Sequence, residues 1–167
     1  MGSAGFARKD SAMDILIIED SNFLRAAIER TLTKAGYDVS SAPDGPQGVK
    51  VALAQMPEVI LLDMMLPGLD GTCVLRELKQ NRRTATIPVI VMTSLSQCNE
   101  ARLKQDGAAE FIEKSQLGLN EANGPLLRMV EETLDGRCSD PDSRCTAQAV
   151  KQVAGKHGNA EQQKGVR

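Results

Sequence analysis

The sequence contains no tryptophan, one tyrosine and three phenylalanines among its 167 residues. Its core must therefore be aliphatic, and aromatic platforms on which bases could stack are missing. Neither sign of charge dominates, with 22 acidic residues against 20 basic ones. That balance leaves no electrostatic footprint for nucleic acid, and direct nucleic acid binding is not expected. A single histidine, His157, and four cysteines at positions 73, 98, 138 and 145 form no C-x-x-C pair. The usual zinc sets are excluded, and free thiols in a reducing compartment are expected. No apolar run reaches transmembrane length, and no basic start leads into an apolar signal core. The expectation is a soluble, cytoplasmic protein with no membrane contact.

What is present is unevenly distributed. Residues 13–135 carry 18 acids and 12 bases, whereas residues 136–167 carry 3 acids and 6 bases. The small, polar residues 1–12 read as a disordered arm. Residues 136–167 read as a flexible, weakly basic tail in which 147–154 could form only a marginal helix. One domain over 13–135 is long enough to bury its own core.

Within that domain short aliphatic runs alternate with helical patterns. Ile15–Ile18, Val59–Leu62 and Ile87–Met92 are continuous apolar runs, as in strands buried on both faces. Tyr37–Ala42 is shorter of apolar residues and suits an edge. Ala109–Glu113 is the fifth strand. Helical stripes run from Phe23 to Ala35, with Gly36 as the stop, and from Thr72 to Gln80, Gln97 to Gln105 and Leu126 to Leu134. Residues 43–48 read as a turn before another helix, whose start two glycines and Pro46 obscure. Residues 81–84 read as a charged exit loop. Five strands alternating with five helices imply right-handed βαβ units, and so an α/β fold with a doubly wound parallel sheet covered on both faces.

The carboxyl ends of four strands carry chemistry: Glu19-Asp20, Asp63, Thr93 with Ser94, and Lys114. In an open α/β sheet that edge forms the ligand crevice. Each residue alone has an ordinary reading. Asp63 could cap a turn, Glu19 or Asp20 could cap the first helix, Thr93 could be a loop hydroxyl, and Lys114 a surface lysine. Together they place three carboxylates, a hydroxyl and an ammonium in one crevice. Clustered carboxylates raise one another's pKa, and a divalent cation relieves the repulsion. Mg2+ takes oxygen ligands, keeps waters and completes its shell with phosphate. The set suits phosphoryl transfer with Asp63 as nucleophile. No Ser/Cys/His triad or Walker loop competes with that reading.

In their order, an acidic pair, D-x-x-x-P-G-x-D-G from Asp63 to Gly71, Thr93-Ser94 and a final lysine resemble the receiver domain of two-component response regulators, the CheY-like family. The resemblance covers about residues 13–135. It implies a flavodoxin-like (βα)5 fold with strand order 2-1-3-4-5. It also implies that Asp63 accepts the phosphoryl group, Asp20 and Asp63 ligate Mg2+ directly, Glu19 acts through metal-bound water, and the Met65 backbone carbonyl is a further ligand. Thr93 would hold the phosphoryl group, Lys114 would pair with it, and Phe111 would be the switch aromatic. The implied partners are a sensor histidine kinase or phosphotransfer protein and a downstream protein met on the face of the fourth and fifth strands and helices. Such a domain is a self-phosphorylating and self-dephosphorylating switch rather than a conventional enzyme.

One departure stands out. The family usually has a cis proline after the lysine; here the residue is Ser115, so the Lys114–Ser115 bond is either trans or strained. Gln116–Gly124 is also longer and more polar than usual before the last helix. Two rival functions remain. A Mg2+-dependent phosphohydrolase with an Asp nucleophile usually has a second Asp two residues on, where this chain has Met65. A non-phosphorylated flavodoxin-like binding module would have no need of the full acidic and basic set.

Overall fold

The computed structural model describes residues 13–68, 70–94, 100–119 and 124–137. The expected arm at 1–12, the tail from 138 with its marginal helix, Cys98, Cys138 and Cys145, and the start of the fourth helix at 97–99 lie outside the described residues. The elements in order are β1 (Asp14–Ile18), α1 (Asn22–Lys34), β2 (Asp38–Ala42), α2 (Gly45–Gln55), β3 (Val59–Asp63), α3 (Gly71–Gln80), β4 (Val89–Thr93), α4 (Glu100–Gln105), β5 (Glu110–Glu113) and α5 (Pro125–Arg137). A single 3-10 turn, Lys114–Gln116, follows β5.

All strand pairs are parallel, and the sheet order is β2-β1-β3-β4-β5. The flavodoxin-like order is thus observed, with the polar strand β2 at an edge as its composition demands. Side chains alternate between two cores. Leu16, Ile18, Ile60, Leu62, Val89 and Val91 face α2, α3 and α4. Ile15, Ile17, Val59, Leu61, Ile90 and Met92 face α1 and α5. Residues 15–18, 59–62 and 89–92 are wholly buried. Burial on both faces explains why these runs show no polar alternation. Each such Ile or Leu contributes about 1.5–3 kcal/mol relative to exposure.

The helix ends follow local chemistry. Ser21 caps α1, its hydroxyl accepting from the Leu24 amide, and Gly36 beyond the C-terminus adopts φ +95°. Asp44 caps α2, accepting from the Gln47 amide, and Asp70 caps α3, accepting from the Thr72 amide. Two sequence expectations need correction. Gly45, Pro46 and Gly48 belong to α2 rather than to a preceding turn. Pro46 occupies the first helical turn, where its missing N–H costs nothing. Gly48 lies so close to β1 that a Cβ would stand 2.4 Å from Ile18 Cδ1. Residues 81–84 form the expected turn, within which Thr84 is buried and its hydroxyl donates to Leu78 O at 2.7 Å. The last helix runs Pro125–Arg137 rather than ending at Leu134. Among the described residues no helix is long and apolar enough to cross a membrane.

Candidate functional site at the strand ends

Strand register brings the chemistry-bearing residues into one row. Ile18 pairs with Leu62, so Glu19 follows β1 level with Asp63 at the end of β3. Asp63 pairs with Met92, and Thr93 pairs with Glu113, which puts Lys114 one residue beyond Thr93 on the next strand. Crossovers cover the sheet faces and leave this edge to loops, which is why four distant segments can meet here.

Glu19, Asp63 and Thr93 are buried, whereas Asp20 is exposed at the mouth. One carboxylate oxygen from each of Glu19, Asp20 and Asp63 lies within 4.8 Å of the others. Lys114 Nζ stands between two of them, 2.8 Å from Glu19 Oε2 and 2.8 Å from Asp63 Oδ2, and donates to Glu19 Oε1 at 3.1 Å. The other Asp63 oxygen, Oδ1, accepts from the Met65 amide at 3.0 Å. Glu19 Oε1 also accepts from the Ser21 amide at 3.2 Å. Each carboxylate is thus held at one oxygen by the chain that follows its strand.

Burial dominates the electrostatics of Glu19. Desolvation lifts its pKa above the ordinary glutamate value, and the negative charge of Asp63 adds to that, against the pull of the Lys114 hydrogen bond. Lys114 is 18% exposed at its side chain. Burial alone would lower its pKa, but hydrogen bonds to Asp63 and Glu19 outweigh that and hold it above the ordinary lysine value. Glu19 moves up because it loses more by leaving water than one shared ammonium returns, and Lys114 moves up because two carboxylates face it. When all are ionised, three carboxylates against one ammonium leave two negative charges unbalanced. Glu19 Oε2 and Asp63 Oδ2 are buried and accept no well-aligned hydrogen bond beside their ion-pair contact with Lys114. Three clustered carboxylates with two charges left uncompensated by Lys114 fit a hard divalent cation with oxygen ligands.

The remaining expected residues fall as follows. Thr93 closes β4 beside Asp63, with its side chain buried. Phe111 lies on β5, opposite Val91, half-buried against the core under α2 to α4. The Met65 side chain is exposed and takes no part in the cluster. No peptide bond among the described residues is cis, so the Lys114–Ser115 bond is trans and leads directly into the 3-10 turn. Without a proline ring nothing offsets the cost of the cis form. Sequence reasoning passed over Arg25, whose guanidinium binds the main chain of the acidic pair: Nη1 donates to Glu19 O at 2.7 Å and reaches Asp20 O at 3.5 Å. The available signal was a cation in the first turn of a helix, where the dipole disfavours it.

Comparison with known proteins agrees with this geometry. The DNA-binding dual master transcriptional regulator RpaA of Synechocystis sp. is 40% identical over 101 residues, which are 60% of this chain and 42% of that protein. Protein PilH of Pseudomonas aeruginosa is 35% identical over 101 residues, 60% of this chain and 84% of its own length. The chain spans less than half the length of several curated relatives that it matches. Among solved structures, the receiver domain of a Pseudomonas aeruginosa sensor histidine kinase superposes with a TM-score of 0.66 at 28% identity. That match covers 75% of this chain and 99% of that one, which has a magnesium ion coordinated in its active-site cleft. The family model for the response regulator receiver domain matches residues 15–120. With the sheet order and the strand-end cluster already in place, that match means the chain belongs to the response regulator receiver domain family of two-component signalling.

Proposed function

We propose that residues 13–135 act as a phospho-accepting switch with Asp63 as the acceptor. The observation that carries this reading is the Asp63 carboxylate itself. It is buried at the crevice floor beside Glu19 and Lys114, with one oxygen on the Met65 amide and the other facing an ammonium. A carboxylate oxygen of Asp63 attacks the phosphorus of a phosphohistidine on a sensor kinase or phosphotransfer protein. The new O–P bond makes an acyl phosphate, and the P–N bond breaks with its electron pair going to the imidazole. Attack of water on the same phosphorus later breaks the Asp63 O–P bond, releases inorganic phosphate and returns the free carboxylate.

Mg2+ would be held by Asp20 and Asp63 directly, by Glu19 through water and by the Met65 carbonyl. It would supply the counter-charge for the phosphoryl oxygens that Lys114 alone cannot. Lys114 shifts its ion pair from the Asp63 carboxylate to a phosphoryl oxygen. Thr93 donates its hydroxyl to another. Phe111, half-buried on the neighbouring strand, responds to that movement, and the face of β4, α4, β5 and α5 changes for a downstream protein.

Mass spectrometry after incubation with Mg2+ and acetyl phosphate, or with a beryllofluoride mimic, tests the assignment. Wild type should gain one phosphoryl adduct or retain one beryllofluoride, and Asp63→Asn neither. Absence of an adduct on wild type, or the same adduct on Asp63→Asn, refutes it.

A further inference from the structure

We propose that Arg25 is a positioning residue for the acidic pocket, acting through the main chain of Glu19 and Asp20. Arg25 lies in the first turn of α1 and is half-buried. Its Nη1 donates to Glu19 O at 2.7 Å and reaches Asp20 O at 3.5 Å, and its Nη2 donates to Asn22 Oδ1. All three acceptors are neutral oxygens: two main-chain carbonyls of the loop between β1 and α1, and the side chain of Asn22, the first residue of α1. The planar guanidinium spans them with two nitrogens, which a point-like ammonium cannot do.

The placement is costly on electrostatic grounds alone. A cation near a helix N-terminus opposes the dipole, typically by about 0.3–1 kcal/mol. The same charge beside a divalent-cation site would repel the metal. A compensating role therefore has to be geometric. Asp20 is exposed, so packing does not hold its side chain. Its direction depends on the backbone on either side. That backbone is fixed by the Glu19 amide on Ala42 O at 3.1 Å, the Ser21 amide on Glu19 Oε1, and the Arg25 bonds to the two carbonyls between them. Without Arg25 the two carbonyls turn toward water and the loop gains freedom that metal binding must remove.

This inference rests on the reading that the pocket takes Mg2+, and the experiment separates the two. Mg2+ alone is titrated calorimetrically into the full chain as wild type, Arg25→Gln, Arg25→Lys and Asp63→Asn at one ionic strength, with a urea unfolding midpoint for each. Wild type should bind and Asp63→Asn should bind far more weakly. Arg25→Gln should lose affinity by about tenfold, as for other residues behind metal ligands. Arg25→Lys should also lose affinity despite its retained charge. In the metal-free protein the amide resonances of residues 20–22 should shift and broaden in both Arg25 variants, while those of α3 stay in place. Repulsion alone predicts the reverse order: tighter binding for Arg25→Gln and no change for Arg25→Lys. Wild-type or tighter affinity in Arg25→Gln overturns the inference and leaves the metal site standing. Should that variant not fold, Arg25→Lys at wild-type affinity overturns it equally. No binding by wild type, or equal binding by Asp63→Asn, removes the metal reading and the inference with it.

Discussion

Gly71 stands against the backbone of Asp63 so closely that a Cβ at position 71 would lie 2.5 Å from the Asp63 carbonyl oxygen and 2.6 Å from Met64 Cα. The start of α3 is thereby pressed onto the end of β3, and the Gly71 amide donates to Met64 O at 3.2 Å. Gly71→Ala should cost about 1–3 kcal/mol, because the atoms in the way are main chain and cannot rotate aside. It should also slow modification of Asp63 by acetyl phosphate. Gly136→Ala near the end of α5 is the control: a Cβ there meets nothing within 4 Å. That variant should be neutral or more stable by about 0.5–1 kcal/mol. Equal urea midpoints for the two variants would show that the contact at Gly71 is relaxed.

Lys114 pairs with two buried carboxylates at once. Lys114→Met should retain the fold and lower metal-free stability by about 1–3 kcal/mol, because buried acceptors lose their partner. Adding Glu19→Gln should restore part of that loss, since one of the two stranded charges is gone. The double-mutant cycle should therefore be non-additive. Additive urea midpoints would remove the Glu19–Lys114 pair from the stability of the protein. In the phosphorylated state Lys114→Met should weaken binding of a downstream partner while leaving the adduct in place.

Tyr37 is the single tyrosine, and no tryptophan obscures it. Burial, then the charges of Glu131 and Asp135 on α5, raise its pKa above 10.0. A phenol with a raised folded pKa keeps its proton longer in the folded state than in the unfolded one. Folding therefore loses stability as pH rises from 10.0 through the folded value, and Tyr37 contributes no pH dependence below that window. Phenolate absorbance should appear at higher pH in native protein than in urea-unfolded protein. Glu131→Gln should bring the native curve part of the way back; coincident curves in all three samples would refute the proposed environment.

The Thr31 side chain links α1 to the loop after β5. Thr31 Oγ1 lies 2.9 Å from Leu119 O and 2.9 Å from Ala27 O. Thr31→Val keeps the shape and removes the hydroxyl, and should cost about 0.5–1.5 kcal/mol. Amide exchange should accelerate in residues 115–119 and remain unchanged in β3. Unaltered exchange near Leu119 would mean that the apolar packing of Leu117 and Leu119, not the hydrogen bond, holds the loop.

Much of this was legible from the chain alone, for local reasons. Ile15–Ile18, Val59–Leu62 and Ile87–Met92 announce doubly covered strands because no polar residue interrupts them, although the fourth strand itself starts only at Val89. Asp63 and Thr93 announce strand ends because each breaks an aliphatic run. Asp70 before Gly71 marks a helix start because its carboxylate can accept from the Thr72 amide two residues on. Gly45, Pro46 and Gly48 misled because their turn propensity is local, whereas the close approach of α2 to Ile18 is tertiary. The burial of Thr84 was not legible for the same reason: only the fold of that turn onto Leu78 O buries it. Arg25 carried a visible anomaly but no visible partner.

The sequence by itself determined the order of strands and helices, the aliphatic composition of both cores and the residue at each strand tip. Those follow from periodicity and from where apolar runs stop. Tertiary structure decided that Glu19 is buried while its neighbour Asp20 is exposed, that Lys114 bridges Glu19 and Asp63, and that Ser115 follows through a trans bond. Charge pairing is a matter of distance in space. Glu19 and Lys114 are 95 residues apart in sequence. Only the parallel register of β1, β3, β4 and β5 brings an ammonium to two carboxylates that water has left.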